Sequence, residues 1–142
     1  MTAEELAKLH AACFSTPRPW SATEFAQLLL RPTVFVVTSQ NGFALGQVAG
    51  PEAELLTIAV HPNAQSHGEG RSLLHNFIDS AAQLSAQEIF LEVAETNLIA
   101  VALYKSAGFA EIGQRKGYFL TETGSKTTAT VMKLTVSDTT FA

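Results

Sequence analysis

Cysteine occurs once, at Cys13, so no intrachain disulfide can form, and the chain suits a reducing compartment, the cytoplasm. Basic residues are scarce: nine Lys and Arg face thirteen Asp and Glu, 9 − 13 = −4, with no basic run. That balance excludes the electrostatic footprint of a nucleic-acid binder and gives no attraction to an anionic membrane. No apolar stretch nears the roughly 20 residues of a membrane span. The opening residues MTAEELAKLHAACF interleave acidic and polar positions with apolar ones, so no signal peptide is expected. Histidines 10, 61, 67 and 75 lie on separate elements without a ligand pair such as HExxH, which predicts no metal and places them at the surface or in loops. No Pro/Gly/Ser-rich linker, repeat or low-complexity tract divides the chain, so one domain over residues 1–142 is expected. A chain of this length buries roughly 68–70% of its open surface on folding, enough for a core without staples.

What is present alternates at the short spacings of one α/β unit. Leu6, Leu9, Ala12 and Cys13 recur at helical spacing, and Pro17 and Pro19 end that helix. Ser21-Ala22-Thr23-Glu24 is a capping box that starts a second helix running through Leu30. Thr33–Ser39 and Phe43–Ala49 are β-branched or aromatic runs joined by Gln40-Asn41-Gly42, a hairpin signal. Glu54–Val60 reads as a strand buried on both faces and stopped at His61-Pro62. Leu73, Leu74, Phe77, Ile78, Ala81 and Leu84 form one stripe of a helix over Arg71–Leu84. Glu88–Ala94 is a strand, Asn97–Ala107 a helix, and Gly108 sits where a left-handed C-cap belongs. Phe109–Lys116 and Thr128–Val136 close the chain as a hairpin whose turn contains Thr123-Gly124-Ser125. The order α α β β β α β α β β implies a mixed, partly parallel sheet covered by helices.

The segment Gln65-Ser66-His67-Gly68-Glu69-Gly70, followed by Arg71 and Ser72, carries the chemistry. Glycines at 68 and 70 let the backbone turn its N–H groups outward just before a helix, where unpaired amides and the positive dipole end favour a pyrophosphate. A plain glycine turn would use the same residues. It is no Walker loop, because no Gly-Lys-Ser/Thr follows, and no full GxGxxG fingerprint, because Leu73 stands at the last glycine position.

Gln65-Ser66-His67-Gly68-Glu69-Gly70 matches the Gln/Arg-x-x-Gly-x-Gly/Ala motif, and with Ile58-Ala59-Val60-His61-Pro62, Glu92-Val93, Asn97 and Ala102–Phe109 the chain resembles the GNAT family of N-acetyltransferases. The resemblance implies a mixed, mostly antiparallel sheet of about six to seven strands, splayed at an acetyl-CoA site and flanked by about four helices. It implies that the pyrophosphate rests on amides of residues 66 to 71, with Ser72 next in the cofactor set, and that pantetheine pairs along Ile58, Ala59 and Val60 like an added strand. Ser66 stands where the family usually has Arg or Lys, so backbone amides, Arg71 and His67 must meet the polyanion.

Acetyl transfer needs a neutral amine, a donor for the developing oxyanion and a proton for the leaving thiolate. The resemblance makes Tyr104 of ALYKSAGF the acid beside the CoA sulfur, though a core tyrosine bonded to a carbonyl would look the same. Glu92 is a charge inside the apolar run FLEVA, either a base facing the splay or a strand-end glutamate paired with a nearby lysine or solvated. Asn97 caps the following helix and, by resemblance, also bonds pantetheine.

Within the family, Pro19-Trp20-Ser21, LEVAETN and Arg115-Lys116-Gly117-Tyr118-Phe119 resemble the RimI-type N-α-acetyltransferases, which modify the N-terminal alanine of a ribosomal protein. That resemblance makes Trp20 and Tyr118 walls of the acceptor groove with Glu92 at its base, while Trp20 could equally staple the second helix. The alternatives are acetylation of a small amine (amino acid, polyamine or antibiotic) and a non-catalytic acyl-CoA-binding domain. A monomer or weak homodimer is expected.

Overall fold

A computed structural model describes residues 1–14, 18–65, 67–120 and 126–136. Two helices begin with the same device. Thr2 and Ser21 each accept the amide three residues on, from Glu5 and Glu24, and each of those carboxylates reaches back to the cap amide. They start α1 (Ala3–Cys13) and α2 (Ala22–Leu29); the Ser21 box is the expected one, and the Thr2 box adds a second. Arg18 makes a two-pronged bond to Glu24, at 2.8 and 3.0 Å, whose carboxyl is thereby held low, at about 2. Of the two prolines expected to end α1, Pro17 lies outside the described residues.

Strands β1 (Val34–Thr38) and β2 (Gly42–Ala49) form the expected hairpin, and β3 (Glu52–Val60) follows antiparallel. A 3-10 turn at Pro62–Ala64 leads to α3 (Glu69–Gln83), which starts earlier than the stripe suggests. Its Leu73, Leu74, Phe77 and Ala81 are buried, whereas Leu84 lies past its end and is exposed. Strand β4 (Glu88–Ala94) has the expected bounds, and α4 (Leu98–Ser106) is capped by Asn97, whose Oδ1 accepts the Ala100 amide at 3.2 Å. Gly108 then takes the left-handed conformation, φ +105°. Strands β5 (Ala110–Leu120) and β6 (Lys126–Thr135) pair antiparallel with two irregularities; their expected turn at Thr123-Gly124-Ser125 lies outside the described residues. Among the described residues the sheet order is β1-β2-β3-β4-β6-β5, and only β3 and β4 are parallel. The expected mixed, mostly antiparallel sheet is observed, six-stranded, with four α-helices among the described residues.

Helices α1 and α2 cover one face through Leu6, Phe25, Phe43, Leu45 and Ala59. The other face packs under α3 and α4 around Leu55, Leu74, Phe77, Leu91 and Tyr104. Strand β3 contributes to both because its register steps. Leu55 and Thr57 pair with the adjacent residues Gly46 and Leu45, leaving Leu56 as an extra residue. The insertion flips the inward set, so Ala53 and Leu55 join the α3 core while Ala59 joins the α1 core. The expectation of a strand buried on both faces is thereby corrected: Glu52 and Glu54 are exposed, and only the C-terminal half looks both ways.

His10 also departs from expectation. It is 1% exposed, among Phe14, Trp20, Phe25 and Phe43, whereas His61, His67 and His75 are exposed as expected. Its helical position places it on the inward stripe with Leu6, a placement its polarity obscures.

The packing generates two testable consequences. Desolvation pulls His10 from 6.5 down to about 4, the Glu24 charge opposing. Its neutral form is therefore favoured by folding: the contribution is complete above pH 6.5, falls as pH drops toward about 4, and loses no more below that. Urea midpoints across this window should show a loss on the order of 3 kcal/mol, a slope that His10→Gln should remove. Where β2 passes under α3, a Cβ on Gly46 would lie 2.5 Å from the Phe77 ring and 2.6 Å from the Glu54 carbonyl. Gly46→Ala should lower stability by about 1–3 kcal/mol in the same titration.

Candidate active site

Strands β3 and β4 are paired only from Glu52–Leu55 against Glu88–Leu91. Beyond this, β3 stays on β2 and β4 stays on β6, so the backbone edges of residues 56–60 and 92–94 face each other unpaired. A groove of about 870 Å³ occupies the fork. It runs through the sheet: His10, Cys13, Phe14 and Trp20 line it from the α1 side, and Leu103 and Tyr104 of α4 from the other.

One end of the groove meets the start of α3. Gly68, at φ +83°, is the N-cap and offers no side chain, so the first-turn amides keep their free N–H groups. A Cβ on Gly70 would reach Val60 and Leu103 at 3.9 Å, across the groove floor. Gln65 donates from Nε2 to the Val60 carbonyl at 3.0 Å and ties the loop to β3. The Glu69 carboxylate turns away from the groove. It accepts from Ser39 Oγ, from the Asn41 amide at 2.7 Å and from Asn41 Nδ2 at 3.1 Å, and these donors hold its carboxyl below the usual range. A negative charge beside the free first-turn amides is thus directed onto the β1–β2 hairpin, and the amide is what Glu69 leaves facing the loop.

Ile58, Ala59, Val60, Gln65, Gly68, Gly70, Arg71, Asn97 and Tyr104 of the expected cofactor set line the groove, with Trp20, Glu92 and Tyr118 of the acceptor set. His67 and Ser72 lie outside the lining. His67 is exposed, its Nδ1 donating to the Gln65 carbonyl at 2.8 Å, and the Ser72 amide is used by the Gly68 carbonyl at 3.1 Å. Ser66 lies outside the described residues.

Tyr104 is 7% exposed and packs edge-on against Phe109, ring centroids 5.9 Å apart. Burial raises its hydroxyl above the ordinary value of 10, so it enters the groove as a protonated donor. Glu92 lies on the sheet face opposite the α3 core, where Arg115 Nε reaches across β6 to its Oε1 at 3.2 Å. Glu54 shares that face; desolvation and then the Glu92 charge push its carboxyl up, with Arg115 opposing. Glu54, Glu92 and Arg115 also border an adjoining hollow of about 300 Å³.

Sequence reasoning passes over four polar or titratable lining residues: His10, Cys13, Glu54 and Thr57. Glu54 carries a readable signal, a second carboxylate in the strand run Glu52-Ala53-Glu54; the others become site residues only through tertiary packing. Among the described residues no group of three or more His, Cys, Asp or Glu could hold a metal ion, and no helix is long and apolar enough to cross a membrane.

Known proteins resemble this chain over most of its length. The "[Ribosomal protein bS18]-alanine N-acetyltransferase" of Escherichia coli K12 is 38% identical over 123 residues, 84% of this chain and 82% of the relative. The "N-alpha-acetyltransferase RimI" of Mycobacterium tuberculosis is 34% identical over 126 residues, 82% of this chain and 78% of the relative. The crystal structure of the E. coli ribosomal-protein-S18-alanine N-acetyltransferase superposes with a TM-score of 0.82 at 32% identity, covering 92% of this chain and 85% of that one. The sequence profile of the acetyltransferase (GNAT) family matches residues 3–109, and with these relatives it shows that the chain belongs to that family of N-acetyltransferases.

Proposed function

We propose that this N-acetyltransferase moves the acetyl group of acetyl-CoA to a free N-terminal α-amine of a protein, an alanine-starting ribosomal protein being the first choice. The observation that carries the reading is the passage of the groove through the sheet, with Tyr104 on one side and Glu92 on the other. Donor and acceptor can then meet at the fork from opposite faces without a covalent enzyme intermediate. The relatives named for N-terminal acetylation support the same choice.

The donor side fits acetyl-CoA chemically. Free amides at the start of α3 suit a pyrophosphate, the Arg71 guanidinium beside them suits its charge, and the unpaired edge of Ile58-Ala59-Val60 suits an amide-bearing arm that pairs as a strand does. Asn97 lines that arm's path while its Oδ1 caps α4. Acetyl-CoA supplies a thioester carbonyl activated toward amines. The amine lone pair forms the new N–C bond as the C–S bond breaks. Glu92 receives the proton the amine gives up, directly or through water, and Tyr104 supplies a hydrogen bond and then a proton to the departing sulfur. The Arg115 contact keeps Glu92 oriented. An α-amine, pKa about 8, gives up its proton more easily than a lysine at about 10.4, so a weak base suffices.

On the acceptor side Trp20 and Tyr118 face the groove, and Arg115 lies 5.4 Å from the Tyr118 ring centroid. Glu52, Glu54 and Glu92 against Arg115 leave this face acidic, which suits a peptide with cationic side chains near its start.

Intact-mass detection on an alanine-starting basic peptide, its N-blocked lysine-containing counterpart and a set of small amines tests this reading. A single acetyl on the free α-amine is expected, and transfer confined to small amines or to lysine would overturn the acceptor. Glu92→Gln and Tyr104→Phe should each lower kcat by about 10²–10⁴-fold, and an unchanged kcat in either would remove that residue from its role.

A further inference from the structure

His10 is the most buried polar side chain of the groove, and nothing in acetyl transfer itself uses it. Both of its ring nitrogens are engaged. The Trp20 backbone N–H donates to Nδ1 at 3.0 Å, so Nδ1 carries no proton. The proton is therefore on Nε2, which donates to Thr57 Oγ1 at 3.0 Å. Thr57 lies on β3 just past the extra residue Leu56, in the half of the strand that has left β4. The imidazole also stacks on the Trp20 indole, centroids 5.0 Å apart at 28°, and Phe14 and Phe25 pack around it. One side chain thus joins three pieces of the groove: the helix α1 that carries it, the residue entering α2, and the free edge of β3. No apolar side chain makes both bonds, and a doubly protonated ring would set an N–H against the Trp20 N–H.

We propose that His10 is a positioning residue for the acceptor: as a neutral imidazole bonded at both nitrogens, it fixes Trp20 to Thr57 and sets the groove width that admits the substrate amine. The role rests on the acceptor reading above, with Trp20 as a wall, and it goes beyond that reading by assigning what holds the wall. It separates the two substrates. The bonds to Trp20 and Thr57 lie on the α1 side, whereas the α3 loop is tied independently through Gln65 to Val60 and through Glu69 to the β1–β2 hairpin. Loss of His10 therefore acts on one substrate and spares the other.

Trp20 is the sole tryptophan, so its emission reports its own wall. His10→Phe keeps ring volume and stacking but removes both bonds; His10→Asn keeps an acceptor near the Nδ1 position; Thr57→Val removes the β3 anchor alone. In His10→Phe the emission should shift to the red and acrylamide quenching should increase. Its KM for the acceptor peptide should rise about tenfold or more, the scale expected for an unpaired buried donor, with KM for acetyl-CoA within about twofold. His10→Asn should recover part of the acceptor KM, and Thr57→Val should raise it alone. Unchanged emission and acceptor KM in a folded His10→Phe, or an equal rise in both KM values, overturns the role. Should His10→Phe fail to fold, a Thr57→Val enzyme with unchanged acceptor KM overturns it equally. The emission comparison needs no acceptor. If the unmodified enzyme acetylates no peptide, the acceptor reading fails, while the His10–Trp20 link is still judged by emission.

Discussion

Everything in this molecule that can bind or react depends on the point where β3 stops pairing with β4. Four residues of each strand pair in parallel, and then the extra residue Leu56 turns β3 aside. A parallel pair that continued would satisfy its own backbone and leave no opening. Here β2 and β6 hold the outer edges of the diverging strands, so the fork persists without collapsing. Apart from the Val60 carbonyl, which Gln65 Nε2 and Cys13 Sγ reach, the inner edges keep N–H and C=O groups that a bound chain or solvent must satisfy. The bulge also sends Ala59 toward α1 while Leu55 remains under α3, and so both helix layers become groove walls.

Around the fork, charges are managed by local pairing. Glu69 would weaken an anion site, and three donors from the β1–β2 hairpin absorb it. Glu92 is oriented by Arg115, which also steadies the Tyr118 ring. His10 lies nearest the core and stays neutral because its surroundings are aromatic and both of its nitrogens already have partners. The groove therefore contains a phenol kept protonated by burial, a carboxylate paired with Arg115 and an uncharged imidazole bonded to Trp20 and Thr57.

Much of this is legible in the residues. Asn41-Gly42, the Ser21 capping box, the bounds of β4 and the left-handed Gly108 each rest on short-range chemistry, and each is where the sequence puts it. The loop Gln65–Gly70 is readable because two glycines just ahead of an amphipathic helix free the backbone to present its amides. The bulge is not, since an inserted residue leaves the apolar run Leu55-Leu56-Thr57-Ile58-Ala59-Val60 looking like a strand buried on both sides. His10 is misplaced for a related reason: polarity suggests solvent, but its partners Trp20 and Thr57 lie ten and 47 residues away. The Arg115 and Glu92 contact spans two strands and is equally invisible to local pattern. Leu84 falls into a helical stripe because periodicity does not register that the helix has ended one residue earlier.

Because the groove pierces the sheet, its two mouths are written in different stretches of the chain. The mouth at α3 and α4 is built from residues 58 to 104, and the opposite one largely from α1, Trp20 and the Arg115–Phe119 segment. Divergence at the chain's two ends can therefore reshape what the protein accepts while the middle, with its bulge and glycine loop, remains untouched. Such a molecule can keep one reaction and exchange its clientele by altering only its margins.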